Sequence, residues 1–400
     1  MTQDVGRGRL ALIAGGGIGG LSAAASLARL GFRVKIFEQA DDFREVGAGI
    51  QVGPNGVRAI KNLGLLPQVS EFTWLPPALV MRDAFDASDI CRIPLDDRFR
   101  QRFQEPYAVI HRADLLGVLL QACRENPQIE LFTSSRLAQV DELDERVRIT
   151  LEDGRRIDGD LLIGADGLRS VVRQTIIGDG APRPPRYVVY RGVVERHRVP
   201  DALWEPEVVM WTGPDADFVH YPLRRGELFN LVVTFKSPID LDPFDIAGSY
   251  DDMRAPYESF HPTVRTLLEM VPVERKWLVT DRAPMHGWSQ GHATLIGDAA
   301  HPMLQYMAQG ACQAIEDVAQ LVDELRAQPD DLPAALNTYA GKRYHRTARV
   351  QFSARQMIEL CQVSGALADL RAKYFRERSA EQLHDGLAWL YSPLAGERFA

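Results

Sequence analysis

The sequence predicts an α/β protein: a Rossmann-like dinucleotide-binding frame, interrupted by an inserted antiparallel sheet and followed by a C-terminal helical region. Three observations predict it. A glycine-rich βαβ unit opens the chain, a Pro/Gly-rich connector near residue 180 leads into closely spaced β runs, and α/β texture returns after Lys276.

The frame starts with the apolar run Leu10 to Ala14, which passes into glycines and then a helix with apolar Leu21, Ala24, Leu27 and Leu30. Gly31 ends that helix, and a second strand, Arg33 to Glu38, follows. Between strand and helix, Gly15-Gly16-Gly17-Ile18-Gly19-Gly20 fits G-x-G-x-x-G through Gly15, Gly17 and Gly20. The first glycine makes the tight turn, the second admits a pyrophosphate to the backbone, and the third lets helix pack on strand. Ile18 falls in the first helical turn, whose N–H groups favour phosphate. Glu38 ends the second strand, where a carboxylate can accept from both ribose hydroxyls and would repel a 2′-phosphate. A purely structural glycine turn is the competing reading; the flanking strands and Glu38 speak against it. The pattern does not separate NAD from FAD.

Two later strands carry carboxylates at their ends. Leu161 to Gly164 leads to Asp166 and Gly167, and Ala293 to Gly297 leads to Asp298. Ligands of open α/β sheets sit at carboxyl ends of strands. For Asp298 the alternative is an N-cap or a surface carboxylate; for Arg112, an ordinary helix-start arginine. From Gly310 and Ala311 onward, Ala314, Ile315, Val318, Leu321, Val322 and Leu325 keep helical spacing.

The connector Gly178 to Arg186 precedes β runs at Tyr187 to Val194, Glu207 to Thr212, Asp217 to Leu223 and Leu228 to Phe235, the last two separated by a turn at Arg224-Arg225-Gly226. In a regular strand Asp217, Val219 and Tyr221 share one face, and Phe218 and His220 the other. The expected division is a frame of residues 1–78, 101–180 and 276–355, a substrate sheet of 79–100 and 181–275, and a helical region of 356–400. Tyr374, Phe375, Trp389 and Tyr391 in that last region suit a dimer face or a domain cap.

Composition narrows the partners. A net charge of −8 argues against nucleic acid, and no apolar run reaches membrane-spanning length. The start lacks a signal peptide's pattern, and the four cysteines form no CxxC, so a cytoplasmic protein with reduced thiols, monomeric or homodimeric, is expected.

The segments GGGIGG, DLLIGADGLRSVVR and GDAAHPMLQYMAQG occur in an order and spacing that resembles the class A flavoprotein monooxygenases, the family of para-hydroxybenzoate hydroxylase and salicylate hydroxylase. The resemblance covers roughly residues 8 to 395. It implies bound FAD, with Asp298 at the ribityl chain, and Gln309, Gly310 and Ala311 at a helix start facing the flavin pyrimidine. It also implies Arg112 on an FAD phosphate, and Asp166 and Gly167 near the pyrophosphate and the NAD(P)H path. No second GxGxxG exists: Gly47-Ala48-Gly49-Ile50-Gln51-Val52-Gly53 has the wrong spacing. The resemblance therefore implies a transient NAD(P)H, NADH rather than NADPH, and O₂ trapped as a flavin C4a-hydroperoxide. A flavin-linked dehydrogenase or oxidase would share GxGxxG but not the GD segment with its MAQGA end, and a non-enzymatic flavin sensor would show no substrate-stimulated NAD(P)H oxidation.

The segments GAGIQVGPN, PYAVIHRADL, YRGVV, VHYPLRRGE and AHPMLQYMAQGA resemble more narrowly the 3-hydroxybenzoate 6-hydroxylases, which form 2,5-dihydroxybenzoate (gentisate). That resemblance implies a small phenolic acid as substrate, with Gln305 and Tyr221 facing it and Gly49 and Gln51 beside the flavin or substrate. One departure stands out: the subfamily has a phenol-deprotonating histidine where this chain has Asp217. Three outcomes are open. Asp217 is the base, a bulge re-aims His220 to do that work, or the substrate differs, as salicylate or another hydroxy-aromatic or hydroxypyridine acid.

Overall fold

The computed structural model describes residues 5–44, 48–242 and 246–393; Gly47, the first residue of the GAGIQVG segment, and the chain ends 1–4 and 394–400 of the expected divisions lie outside the described residues. A six-stranded sheet forms the frame, in the order Ser289–Gln290, Ala293–Leu295, Leu161–Gly164, Leu10–Ala14, Arg33–Phe37, Ile129–Phe132. All its neighbours are parallel except at the Ser289–Gln290 edge. A central parallel strand is covered on both faces, which is why Leu10–Ala14 is apolar throughout and Ala11, Leu12 and Ile13 are wholly buried.

The helix Ile18–Arg29 begins directly after the glycines and packs on helices Arg112–Arg124 and Gly310–Ala327. A Cβ on Gly20 would stand 2.0 Å from the Gly15 carbonyl oxygen, so helix and turn can approach only through glycine. Gly20→Ala should therefore yield protein that fails to load FAD, read as loss of flavin absorbance after purification.

The second sheet has seven strands, in the order Trp277–Val279, Tyr187–Glu195, Leu228–Lys236, Ala216–Leu223, Val208–Gly213, Ala78–Asp83, Asp89–Pro94. The boundary expected at residue 276 falls just before one of its edge strands, because Trp277–Val279 pairs with Tyr187–Val189. The turn at Arg224, Arg225 and Gly226 has φ of 45°, 57° and 90°. One face of this sheet buries Tyr190, Trp211, Phe218, Leu231 and Val233 against Tyr257, Phe260 and Val264. The other face, with Val189, Val219, Tyr221 and Val232, turns toward the frame.

The helix Leu332–Cys361 is 30 residues long and runs through the boundary expected at 356, since neither Gly nor Pro occurs between Gly341 and Gln362. Helices Ala366–Arg376 and Ala380–Tyr391 follow, the second opened by a capping box of Ser379 and Gln382. Its end is packed inward, with Tyr391 against Phe99, Phe103 and Tyr107. The four cysteines are free and buried, and among the described residues no helix is long and apolar enough to cross a membrane.

Candidate active site

A cavity of about 820 Å³ lies between the two sheets, with helices Ala366–Arg376 and Ala380–Tyr391 contributing Phe375, Leu387 and Tyr391 to its wall. The C-terminal aromatics thus include two that cap the cavity, Phe375 and Tyr391, while Tyr374 stays exposed.

At one end stand Gly15, Gly17, Ile18 and Glu38. Gly15 has φ of +101°, a conformation that favours glycine, and a Cβ at Gly17 would meet nothing within 4 Å. The helix that starts there has no side-chain cap, so its first N–H groups are free for an anion. The Glu38 carboxylate accepts from the backbone N–H of Gly16 at 2.8 Å and of Ala40 at 2.9 Å, which fixes it at the strand end. Gly20 does not line the cavity; its place is in the helix–turn contact.

Arg112, Asp166, Gly167 and Asp298 line the middle. Arg112 starts its helix, its backbone N–H donating to the Ala48 carbonyl at 2.9 Å. Asp166 accepts from the Val171 N–H at 2.8 Å and from the Ser170 hydroxyl, and so also holds the start of helix Val171–Ile176; burial raises its pKa. Gly167 has φ of +75° with open space around it. Asp298 is exposed to the cavity and does not cap the next helix; a Cβ on Gly310 would lie 3.9 Å from its Oδ1. The helix runs Gly310–Ala327, and Gly310 and Ala311 present its uncapped N-terminus to the cavity. Gln309 lines the wall, but its side chain accepts from Asn55 at 2.8 Å and Gln313 at 2.9 Å. This run of phosphate-ready glycines, ribose-ready carboxylates and an electropositive helix start fits FAD.

The far end is floored by the inner face of the seven-stranded sheet. Its register sets Asp217 beside Thr234, and Tyr221 beside Asn230. Asn230 accepts from the Gly49 N–H at 2.7 Å, and a Cβ on Gly49 would stand 2.7 Å from the Tyr221 ring. That close approach requires the glycine. Gln51 accepts from the Tyr107 hydroxyl at 2.6 Å. Gln305 accepts from Arg191 at 2.7 Å and donates to the Thr234 hydroxyl at 3.0 Å.

Asp217 is buried in the cavity wall, accepting from the Tyr306 hydroxyl at 2.5 Å and the Gln362 amide at 2.7 Å. Burial pushes its pKa up to about 6, against the lowering effect of those hydrogen bonds. Burial likewise holds Tyr221 and Tyr306 well above the usual phenol range, hence protonated.

His220 does not belong to the site. The strand Ala216–Leu223 pairs in unbroken register on both sides, so no bulge turns the imidazole inward. It lies on the far face between Phe218 and Phe229, its Nε2 accepting from the Trp211 indole at 3.0 Å. Burial pushes its pKa down to about 3, so it stays neutral. His220→Gln should leave the acid limb of the rate–pH profile unmoved.

Arg191, Tyr306 and Gln362 were not singled out from sequence. Arg191 carried a signal, a lone cation inside the apolar run YVVYRGVV; Tyr306 and Gln362 carried none, because a 3₁₀ turn and a helix end bring them to Asp217.

Comparison with known proteins agrees with this geometry. A family model described as an FAD binding domain matches residues 10–353. The chain is 41% identical over 380 residues to 3-hydroxybenzoate 6-hydroxylase of Polaromonas naphthalenivorans (strain CJ2), covering 95% of each chain. It is 38% identical to 3-hydroxybenzoate 6-hydroxylase of Klebsiella oxytoca, covering 95% of this chain and 96% of the relative. The crystal structure of Klebsiella pneumoniae HpxO complexed with FAD and uric acid superposes with a TM-score of 0.85 at 26% identity, over 97% of this chain and 98% of that one. The chain therefore belongs to the FAD-binding-domain family, as an FAD-dependent aromatic monooxygenase.

Proposed function

We propose that the substrate is 3-hydroxybenzoate and the product 2,5-dihydroxybenzoate, with NADH as the preferred reductant. The balance is one aromatic acid, O₂, NADH and a proton giving the dihydroxy acid, water and NAD⁺. Bound FAD, reduced by NADH, supplies the activated oxygen. The observation that carries this reading is the buried Asp217 carboxylate in the wall of a cavity whose floor also holds Tyr221 and Gln305.

Ionising the phenol makes the ring electron-rich at the carbon to be hydroxylated, so a base with a pKa near the working pH is needed. Asp217, raised to about 6, meets that need. Its proton arrives through Tyr306, a residue of the cavity wall whose hydroxyl donates to Asp217. Gln305 and Tyr221 orient the ring, and Tyr391, Leu387 and Phe375 keep water from the reacting atoms. Tyr306→Phe should lower turnover of the holoenzyme with substrate affinity little changed, checked by stopped-flow and flavin titration.

A second reading, a salicylate or hydroxypyridine acid as substrate, rests on Asp217 standing where the subfamily has histidine. NADH loss at 340 nm, measured with a panel of hydroxybenzoates, salicylates and hydroxynicotinates together with product analysis, decides between them. Gentisate formed from 3-hydroxybenzoate faster than any other product supports the first; stimulation only by another acid replaces it. Asp217→His should raise turnover of 3-hydroxybenzoate if the aspartate marks a changed specificity, and lower it if the aspartate is the native base.

A further inference from the structure

Arg191 stands in the cavity wall on the strand Tyr187–Glu195, and no carboxylate pairs with it among the described residues. Among the described residues its one side-chain hydrogen bond is to the neutral Oε1 of Gln305, at 2.7 Å, leaving guanidinium donors unspent. A buried cation is costly unless an anion answers it. Two fully enclosed arginines meet this demand: Arg343 has Glu316 and Asp317, and Arg173 has Asp179. Arg191 alone of these three faces an open cavity with a neutral partner.

We infer that Arg191 is the anchor for the substrate's carboxylate, and so the residue that restricts this site to aromatic acids. The inference rests on the hydroxylase reading above and adds the group that tells an acid from a neutral phenol. Across the floor, register places Arg191 beside Val232 and Val232 beside Val219, one row from both the Asp217–Thr234 pair and the Tyr221–Asn230 pair. A ring lying on Val232 and Val219 puts its carboxylate over Arg191 while its hydroxyl reaches the Asp217 side. Gln305, bonded to both Arg191 and Thr234, links the two polar ends. A guanidinium presents paired donors matched to the two carboxylate oxygens, so lysine reproduces the charge but not the fork. Burial, the largest influence on Arg191, works against its charge, which sharpens its demand for an anion.

The test compares 3-hydroxybenzoate with 3-hydroxybenzamide, binding to oxidised FAD-loaded enzyme being followed by the change in flavin absorbance. Arg191→Gln is expected to weaken the acid by about 10- to 100-fold while the amide changes little. Arg191→Lys should recover part of the loss for the acid alone. Equal weakening of acid and amide, or loss of FAD from Arg191→Gln, overturns the assignment. If wild-type enzyme ignores 3-hydroxybenzoate but binds another aromatic acid, the substrate reading fails, and the same acid–amide comparison with that ligand judges Arg191. Wild-type enzyme that binds no aromatic acid overturns both.

Discussion

Asp217→Asn should lower the turnover number by about a hundredfold or more, the usual size of a lost general base. FAD loading and substrate affinity should change little, because the asparagine keeps the shape and can still accept from Tyr306 or Gln362. The pH profile gives the sharper readout. The native carboxylate is raised to about 6 by burial, so turnover should rise with pH through that value as the base ionises. In the variant this limb should vanish. A profile whose limb survives in Asp217→Asn would assign the proton to another group. His220 is not that group, since its imidazole packs on the opposite face.

Arg343→Met should destabilise the protein by roughly 3–5 kcal/mol, the penalty for breaking a buried ion pair, since Asp317 loses its arginine while Glu316 keeps Arg346. Arg343 donates to Asp317 at 2.7 Å and to Glu316 at 2.8 Å, all three buried. Asp317 in turn accepts from the Gly297 N–H at 2.8 Å, and Glu316 accepts from Asn55, which holds Gln309. The cluster therefore braces Gly297, next to Asp298, and Gln309, at the start of the Gly310 helix. A fall in melting temperature should come with weaker FAD retention. The sign of its pH dependence follows from Glu316, which burial would raise but which Arg346 and then Arg343 lower from 4.5 to about 2. That stabilisation is complete above about 4.5 and fades as pH falls toward 2. Thermal melts from pH 7 to pH 3 should show the wild type losing stability over this window and Arg343→Met losing less.

The frame was legible because its signals are local. A glycine that must touch a carbonyl, a carboxylate at a strand end and an apolar helical stripe each announce themselves within a few residues, as Gly20, Asp298 and the Gly310 helix do. Strand alternation likewise puts Tyr221 and His220 on opposite faces. The polar end of the cavity was only half legible. Asp217 stood out, but its partners Tyr306 and Gln362 come from segments 89 and 145 residues away, and no period in the sequence joins them. Arg191 lies in the YRGVV segment, and its chemistry is visible only in the cavity, where no carboxylate among the described residues pairs with it. The divisions expected at 276 and 356 rest on texture alone; an edge strand begins at Trp277 and one helix runs through 356.

The most direct measurement is a stoichiometry: purified yellow holoenzyme, 3-hydroxybenzoate and NADH in air-saturated buffer, with NADH consumed, gentisate formed and H₂O₂ released counted together. A floor that holds the phenolate beside the flavin, under a roof that excludes water, predicts acid-stimulated NADH loss matched nearly one-to-one by gentisate, with little peroxide. Protein that takes up no FAD, or NADH oxidation that the acid does not stimulate and that ends wholly in peroxide, would contradict it.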